Sequence, residues 1–199
     1  MTMNRTRARR ILAKFSGQRV VVVGDLMLDH YIIGNITRIS PEAPVPVLHV
    51  SRERSVPGGA SNVASNVRAL GGASDVAGVV GRDAHGQKLT RLLVEEGVGV
   101  EAVQRLAHVP TTVKTRVVAD RQQVVRVDWE QRLTLNARQT GAMGKAIEKV
   151  VARASARAQR LGGKRRGVLA DIDRRGVELH EFGVGHHSAR PGRHAPSLA

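Results

Sequence analysis

The first strongly apolar stretch of the chain is RVVVV, Arg19 to Val23, closed by Gly24. An uninterrupted run of this length reads as a strand buried on both faces. Ahead of it, Arg5 to Phe15 places Ile11, Leu12 and Phe15 on one side of a helix, and Gly17 is a suitable stop. Beyond Gly24 the pattern weakens. Tyr31 to Ile33 and Val45 to Val50 suit two strands; the loop RISPEAPVP between them carries Pro41, Pro44 and Pro46, which forbid helix and suggest an edge or flap. Gly58-Gly59 then leads into Ala60 to Leu70, where Ala60, Val63, Ala64, Val67 and Leu70 follow a helical period, and Gly71-Gly72 ends it. Ser74 to Val80 reads as a second buried strand. Asp83 suits the cap of a helix running to about Glu96, and Val98 to Leu106 makes a third strand.

Thr111 to Ala119 and Gln123 to Trp129 alternate apolar and polar residues around Asp120-Arg121. That is a hairpin signature, without the ideal Asn-Gly turn. Leu135 to about Ala158 reads as a long helix rich in Ala, Lys and Glu. From about Ser155 the character changes to Arg, Gly and His; only Gly167 to Ile172 suits a strand, and no period is visible from Gly183 onward. The order helix, strand, flap, helix, strand, helix, strand argues for an α/β fold with a mostly parallel sheet. The alternating strands at 31–50 and 111–129 do not fit that sheet and suit a small, half-exposed second one. The expected division is a folded part over residues 1–155 and a basic, irregular tail over 156–199.

Composition narrows this picture. The 199 residues are 41% hydrophobic but only 2% aromatic, so the core must be built from Val, Leu, Ile and Ala, as buried parallel sheets are. With no cysteine, disulfides and thiolate metal sites are excluded, which is compatible with a reducing cytoplasm, the expected location. The net charge of +15 raises nucleic acid as a partner. The excess is spread along the chain: residues 1–132 carry +7, residues 133–150 carry +2 and residues 151–199 carry +6. The scarcity of aromatic residues leaves only phosphate contacts, so nucleic acid is not the expected partner. The N-terminus lacks the apolar stretch of a secretory signal. Its Arg-rich, acid-free character also suits a mitochondrial presequence, but a basic surface helix is the simpler reading. No apolar run reaches the roughly 18 residues of a membrane span, so no membrane partner is expected.

Three stretches together carry a resemblance: Val23-Gly24-Asp25-Leu26-Met27-Leu28-Asp29, Arg38-Ile39-Ser40-Pro41-Glu42-Ala43-Pro44-Val45-Pro46-Val47, and Pro57-Gly58-Gly59-Ala60-Ser61-Asn62-Val63-Ala64. The third resembles the first signature of the ribokinase-like, PfkB-type carbohydrate kinases. The second resembles, more narrowly, the heptose-7-phosphate kinase domain that is often fused to an adenylyltransferase. Gly81-Arg82-Asp83, Thr112 to Arg116 and Arg126-Val127-Asp128 continue the similarity over roughly residues 10–155. The resemblance implies a Rossmann-type sheet with a small β lid over about 31–52 and 111–129. It implies ATP- and magnesium-dependent phosphorylation of D-glycero-D-manno-heptose 7-phosphate at O1, toward lipopolysaccharide, and lid pairing between two subunits.

Physical chemistry agrees with that implication. Asp25 and Asp29 lie after a parallel strand, where such sheets bind ligands, and could accept hydrogen bonds from sugar hydroxyls. Gly58 and Gly59 let backbone approach a ligand and a flap rotate. Asn62, one turn into its helix, offers both donor and acceptor. Lys114, Arg116 and Arg126 are candidates for the substrate phosphate. On the residues alone, Asp25 and Asp29 equally suit a strand-ending turn, and the glycine pair a plain turn. Lys114, Arg116 and Arg126 equally suit solvated strand positions, and His30 a surface residue.

The resembled family draws its catalytic base and anion hole from a GAGD motif, and organises magnesium through Asn-x-x-Glu. Neither string occurs here, nor does a Walker-type loop; Gly183-Val184-Gly185-His186 has His where the base would stand. No residue is therefore assigned a catalytic role, and none is assigned to ATP or magnesium. The expectation is a truncated kinase half lacking phosphoryl transfer, with a reading-frame change near Ser155. The alternative is a non-catalytic binding module whose basic tail contacts nucleic acid or an acidic partner. His180, His186, His187 and His194 match no standard zinc spacing.

Overall fold

The apolar run Arg19–Val23 forms the strand around which the molecule is built. In the computed structural model, which describes residues 4–154, 156–157, 168–173 and 176–181, helix α1 (Arg5–Leu12) leads into this strand, β1 (Arg19–Val23). β1 lies in a parallel sheet with β4 (Ala73–Gly81), β5 (Gly99–Leu106) and β8 (Ala156–Arg157), in the order β5-β4-β1-β8. Its side chains alternate between two cores. Val22 joins Val76, Val80, Leu89 and Leu93 under α2 (Ala60–Ala69) and α3 (Ala84–Glu95), while Val21 joins Ala77, Met143, Ile147 and Val150 under α4 (Ala137–Val151). Helices on both faces are why this strand is apolar from Val20 to Val23; Arg19, at its entry, pairs with Asp75 at 2.8 Å. Each fully buried Val or Leu contributes about 1.5–3 kcal/mol relative to exposure.

The second sheet has the order β3-β2-β6-β7, from β2 (Leu26–Ile39), β3 (Pro46–Gly59), β6 (Thr112–Ala119) and β7 (Gln122–Trp129). β2 pairs antiparallel with β3 and parallel with β6; β6 and β7 form an antiparallel hairpin. The strands expected at 31–33 and 45–50 are thus far longer, 14 residues each. The reason is a broken alternation. Register shifts between Ile33 and Gly34 and between Ile36 and Arg38 displace the two-residue period, so apolar positions no longer mark one continuous strand. A Cβ on Gly34 would meet the carbonyl oxygen of His49, so the shift near it requires a glycine.

The β6–β7 turn holds Asp120 at φ 47° and Arg121 at φ 76°. Two left-handed residues are what a tight hairpin needs, and here neither is glycine. α4 begins at Ala137 behind an Asn136–Gln139 capping box and stops at Val151, short of the expected Ala158. Beyond it, β9 (Val168–Asp173) pairs antiparallel with β10 (Gly176–Glu181). The first falls within one residue of the expected strand; the second was not foreseen. The rest of the expected irregular tail, including His186, His187 and His194, lies outside the described residues. Among the described residues no helix is long and apolar enough to cross a membrane.

Candidate functional site

The chain leaves the parallel sheet for the second sheet at Gly24-Asp25 and returns at Gly59-Ala60. The two crossings are tied together: the Ala60 amide donates to the Asp25 carbonyl oxygen at 3.0 Å. Gly59 stands at φ 58°, and a Cβ there would lie 2.6 Å from that same oxygen. One residue earlier, a Cβ on Gly58 would lie 2.8 Å from Asp29 Cγ. Both glycines are therefore needed for close approach, Gly59 also for its dihedral. The pair brings the loop after β1, the start of α2 and the first turns of the β2–β3 ribbon into one corner at the carboxyl end of β1.

Asp29 faces into that corner and is not alone. Arg116 Nη1 donates to Asp29 Oδ1 at 2.6 Å. Register explains the meeting: β2 and β6 run parallel with Asp29 beside Lys114 and Tyr31 beside Arg116, while β7 sets Asp128 against Lys114 and Arg126 against Arg116. Alternation then puts Asp29, Tyr31, Lys114, Arg116, Arg126 and Asp128 on one face. Lys114 Nζ donates to Asp128 Oδ2 at 2.8 Å and to Glu130 Oε2 at 2.9 Å; Arg126 Nε donates to Asp128 Oδ1 at 2.9 Å. The Tyr31 ring lies between two guanidinium groups, Arg54 at 4.7 Å and Arg116 at 5.4 Å from its centroid.

Burial opposes the charge on Arg116, but the hydrogen bond and charge of Asp29 outweigh it and raise its pKa. The hydrogen bond from Lys114, with its charge and that of Arg126, lowers the pKa of Asp128. Asp25 behaves oppositely. It reaches solvent at the rim, yet enough protein surrounds the carboxyl that desolvation raises its pKa. Asn62 is exposed at the third position of α2, and among the described residues its side chain makes no hydrogen bond. The capping residue of α2 is Gly59, with no side-chain cap; the Ala60 amide is taken by the Asp25 carbonyl oxygen, and the next amides of the first turn face the same corner without a cap.

The sequence-derived residues thus separate into two groups. Asp29, Gly58 and Arg116 are in direct contact, and Asp25 adjoins them through Gly59 and Ala60. Lys114 and Arg126 meet through Asp128, on the same face of the sheet. Tyr31, Arg54, Asp128 and Glu130 were missed as members of this network. The two-residue spacing of Lys114-x-Arg116 and Arg126-x-Asp128 was the available signal. His30, read as a surface residue, is half-buried with Nδ1 3.0 Å from Ser55 Oγ.

A second polar knot pins the entry to β6. Asp83 caps α3 by accepting from the Gly86 amide at 2.7 Å, and also accepts from the Thr111 amide at 2.7 Å and the Thr111 hydroxyl at 2.8 Å. Burial works against its charge, but these donors prevail and lower its pKa. Among the described residues no group of three or more His, Asp or Glu could hold a metal ion. The geometry therefore offers hydroxyl acceptors, cations and helix-start amides suited to a polar anionic ligand.

The model of the pfkB family carbohydrate kinases matches residues 18–164. Over 129 residues the chain is 50% identical to the D-beta-D-heptose 7-phosphate kinase of Bordetella bronchiseptica, covering 65% of this chain and 40% of that protein. Over 162 residues it is 42% identical to the bifunctional protein HldE of Azorhizobium caulinodans, covering 81% of this chain and 33% of that protein. The chain thus spans well under half the length of these relatives. Among solved structures, a candidate ribokinase from Agrobacterium tumefaciens matches with a TM-score of 0.51 at 19% identity, over 71% of this chain and 44% of that one. A candidate sugar kinase from Clostridium perfringens matches with a TM-score of 0.52 at 14% identity, over 70% and 42%. At these identities the likeness concerns the fold, which is ribokinase-like.

Proposed function

The chain belongs to the pfkB family of carbohydrate kinases, and from that premise we propose that the corner at Asp25, Asp29, Gly58, Gly59 and Asn62 is a sugar-phosphate site for D-glycero-D-manno-heptose 7-phosphate. The observation that carries this reading is the Asp29–Arg116 pair packed against Gly58. It sets a hydroxyl acceptor and a planar cation side by side, at the edge where the two sheets join. Asp29 and Asp25 accept from sugar hydroxyls, and Asn62 supplies a donor and an acceptor. Arg116, Lys114 and Arg126 exchange carboxylate partners for the substrate phosphate. The β2–β3 ribbon and β6–β7 hairpin form the lid, turning on Gly58-Gly59 and excluding water when closed.

In this reading the whole enzyme uses ATP with magnesium to phosphorylate O1, in the cytoplasm, toward a lipopolysaccharide precursor. The residues present do not fit that nucleotide: the GAGD and Asn-x-x-Glu strings are absent from the sequence. These 199 residues by themselves are accordingly proposed to bind the sugar phosphate without transferring phosphoryl groups. Val125, Val127 and Trp129 are 47%, 41% and 66% exposed on the lid face opposite Arg126, which supports lid pairing in a homodimer.

Calorimetric titration with heptose 7-phosphate, with the unphosphorylated heptose as control, tests the site. Binding of the phosphate ester alone, weakened in Arg116→Ala, is the expected result, with no ATP turnover. Equal affinity for both sugars, or none for either, removes the reading.

A further inference from the structure

Helix α1 takes no part in the corner described above, and it buries none of its residues. Its sequence nevertheless has the pattern of a helix with something to cover. Ala8, Ile11, Leu12 and Phe15 recur at i, i+3, i+4 and i+7 and share one stripe. Ala8 and Phe15 are half-buried, whereas Ile11 and Leu12 remain 43% and 44% exposed. The rest of the circumference carries Arg5, Arg7, Arg9, Arg10 and Lys14, and no acidic residue precedes Asp25. Among the described residues none of these five cations forms an ion pair. The helix starts from its own cap, Asn4 Oδ1 accepting from the Arg7 amide at 2.8 Å, which offsets part of the cost of forming so short a helix.

We propose that α1 is a peripheral anchor for an anionic phospholipid surface. A nucleic acid would satisfy the cations but leave Ile11 and Leu12 in water. An apolar protein groove would cover the stripe but not call for five unpaired cations. A bilayer interface satisfies both at once, with the stripe at the acyl boundary and the cations among headgroup phosphates. The placement is compatible with the rest of the molecule. α1 passes through Gly17, at φ 80°, into the amino end of β1, whereas Asp25 and the candidate site lie past its carboxyl end. Anchoring through α1 leaves that site facing water. The proposal is independent of what the site binds.

The test is co-sedimentation of the full 199-residue chain with phosphatidylcholine vesicles containing 30% phosphatidylglycerol, against pure phosphatidylcholine. Two variants at exposed positions separate the contributions, with circular dichroism confirming that each is folded: Ile11→Ser/Leu12→Ser and Arg9→Gln/Arg10→Gln. The expected result is retention on anionic vesicles only, reduced about tenfold or more by either double variant and reversed by salt. No retention overturns the proposal. So does retention unaffected by Ile11→Ser/Leu12→Ser, which would reveal plain adsorption of a basic chain. Tight, salt-sensitive binding to a DNA duplex that depends on Arg9 and Arg10, without vesicle binding, would likewise overturn it and make the helix a nucleic-acid contact.

Discussion

Arg116 reaches across the second sheet to hold Asp29 at 2.6 Å, although the two are 87 positions apart in the sequence. Their side chains are 22% and 18% exposed, so the pair is neither buried nor fully solvated. Such a pair contributes little to stability, about 0–1 kcal/mol, but defines the polarity of the corner it occupies.

Arg116→Ala is expected to change the unfolding free energy by less than about 1 kcal/mol. A charge-assisted bond to a ligand phosphate is worth about 1.5–3 kcal/mol, so sugar-phosphate affinity should fall by about 10- to 100-fold. Arg116→Lys should recover only part, because a point charge cannot reproduce the planar fork. Urea denaturation beside calorimetric titration separates the two effects. A large stability loss with unchanged affinity would make the pair purely structural.

Gly59→Ala should destabilise the fold by more than Gly71→Ala. Both positions have positive φ, but a Cβ at Gly59 meets the Asp25 carbonyl oxygen at 2.6 Å, while at Gly71 nothing lies within 4 Å. Gly59 combines φ 58° with ψ −131°, outside the left-handed helical region, so the dihedral strain alone costs about 1–3 kcal/mol; the backbone clash adds a further term of about 1–3 kcal/mol. Equilibrium unfolding of the two variants measures the difference directly. Equal losses would mean that the corner opens freely.

Asp25 and Asp83 should respond to pH with opposite signs. The Asp83 pKa is lowered in the folded protein, so it contributes stability above its unfolded value that is lost as pH falls through the folded one, below about pH 4. The Asp25 pKa is raised, so its ionised form costs stability at neutral pH, and that cost disappears as the carboxyl protonates. Asp25→Asn should therefore raise the melting temperature at pH 7 while weakening ligand binding, and Asp83→Asn should lower it. The Asp25→Asn difference should shrink as pH falls toward about 4, whereas the Asp83→Asn difference should shrink only below about pH 4. Thermal melts from pH 3 to 7 check this.

Arg121→Gly should stabilise the protein by about 1 kcal/mol, because it relieves a side chain held at φ 76° in the β6–β7 turn. The midpoint of urea unfolding is the measure; a decrease would mean that the Arg121 side chain makes a compensating contact.

In the parallel sheet, β1 and β4 were legible because they lie under helices on both faces: RVVVV at β1 matched to the residue and β4 within one residue, as did the more exposed edge strand β5, whereas β8 falls where a helix was expected. Burial writes itself into composition, and the caps at Asp83 and the period of α2 did the same for the helices. The β2–β3 ribbon was under-read because its strands are held by ladder hydrogen bonds and interrupted by register shifts, which leave no apolar period. Asp29, Gly58, Gly59 and Arg116 were each visible as candidates, but only as separate residue types.

What the sequence determined by itself was three strands of the central sheet, the cap at Asp83 and the residues suited to a polar ligand, since these follow from local periodicity and side-chain chemistry. What only the tertiary structure decided was who meets whom. The parallel pairing of β2 with β6 sets Tyr31 beside Arg116 and so brings that guanidinium to Asp29. Pairing register is a long-range choice among strands of similar character, and no local stretch of the chain encodes it.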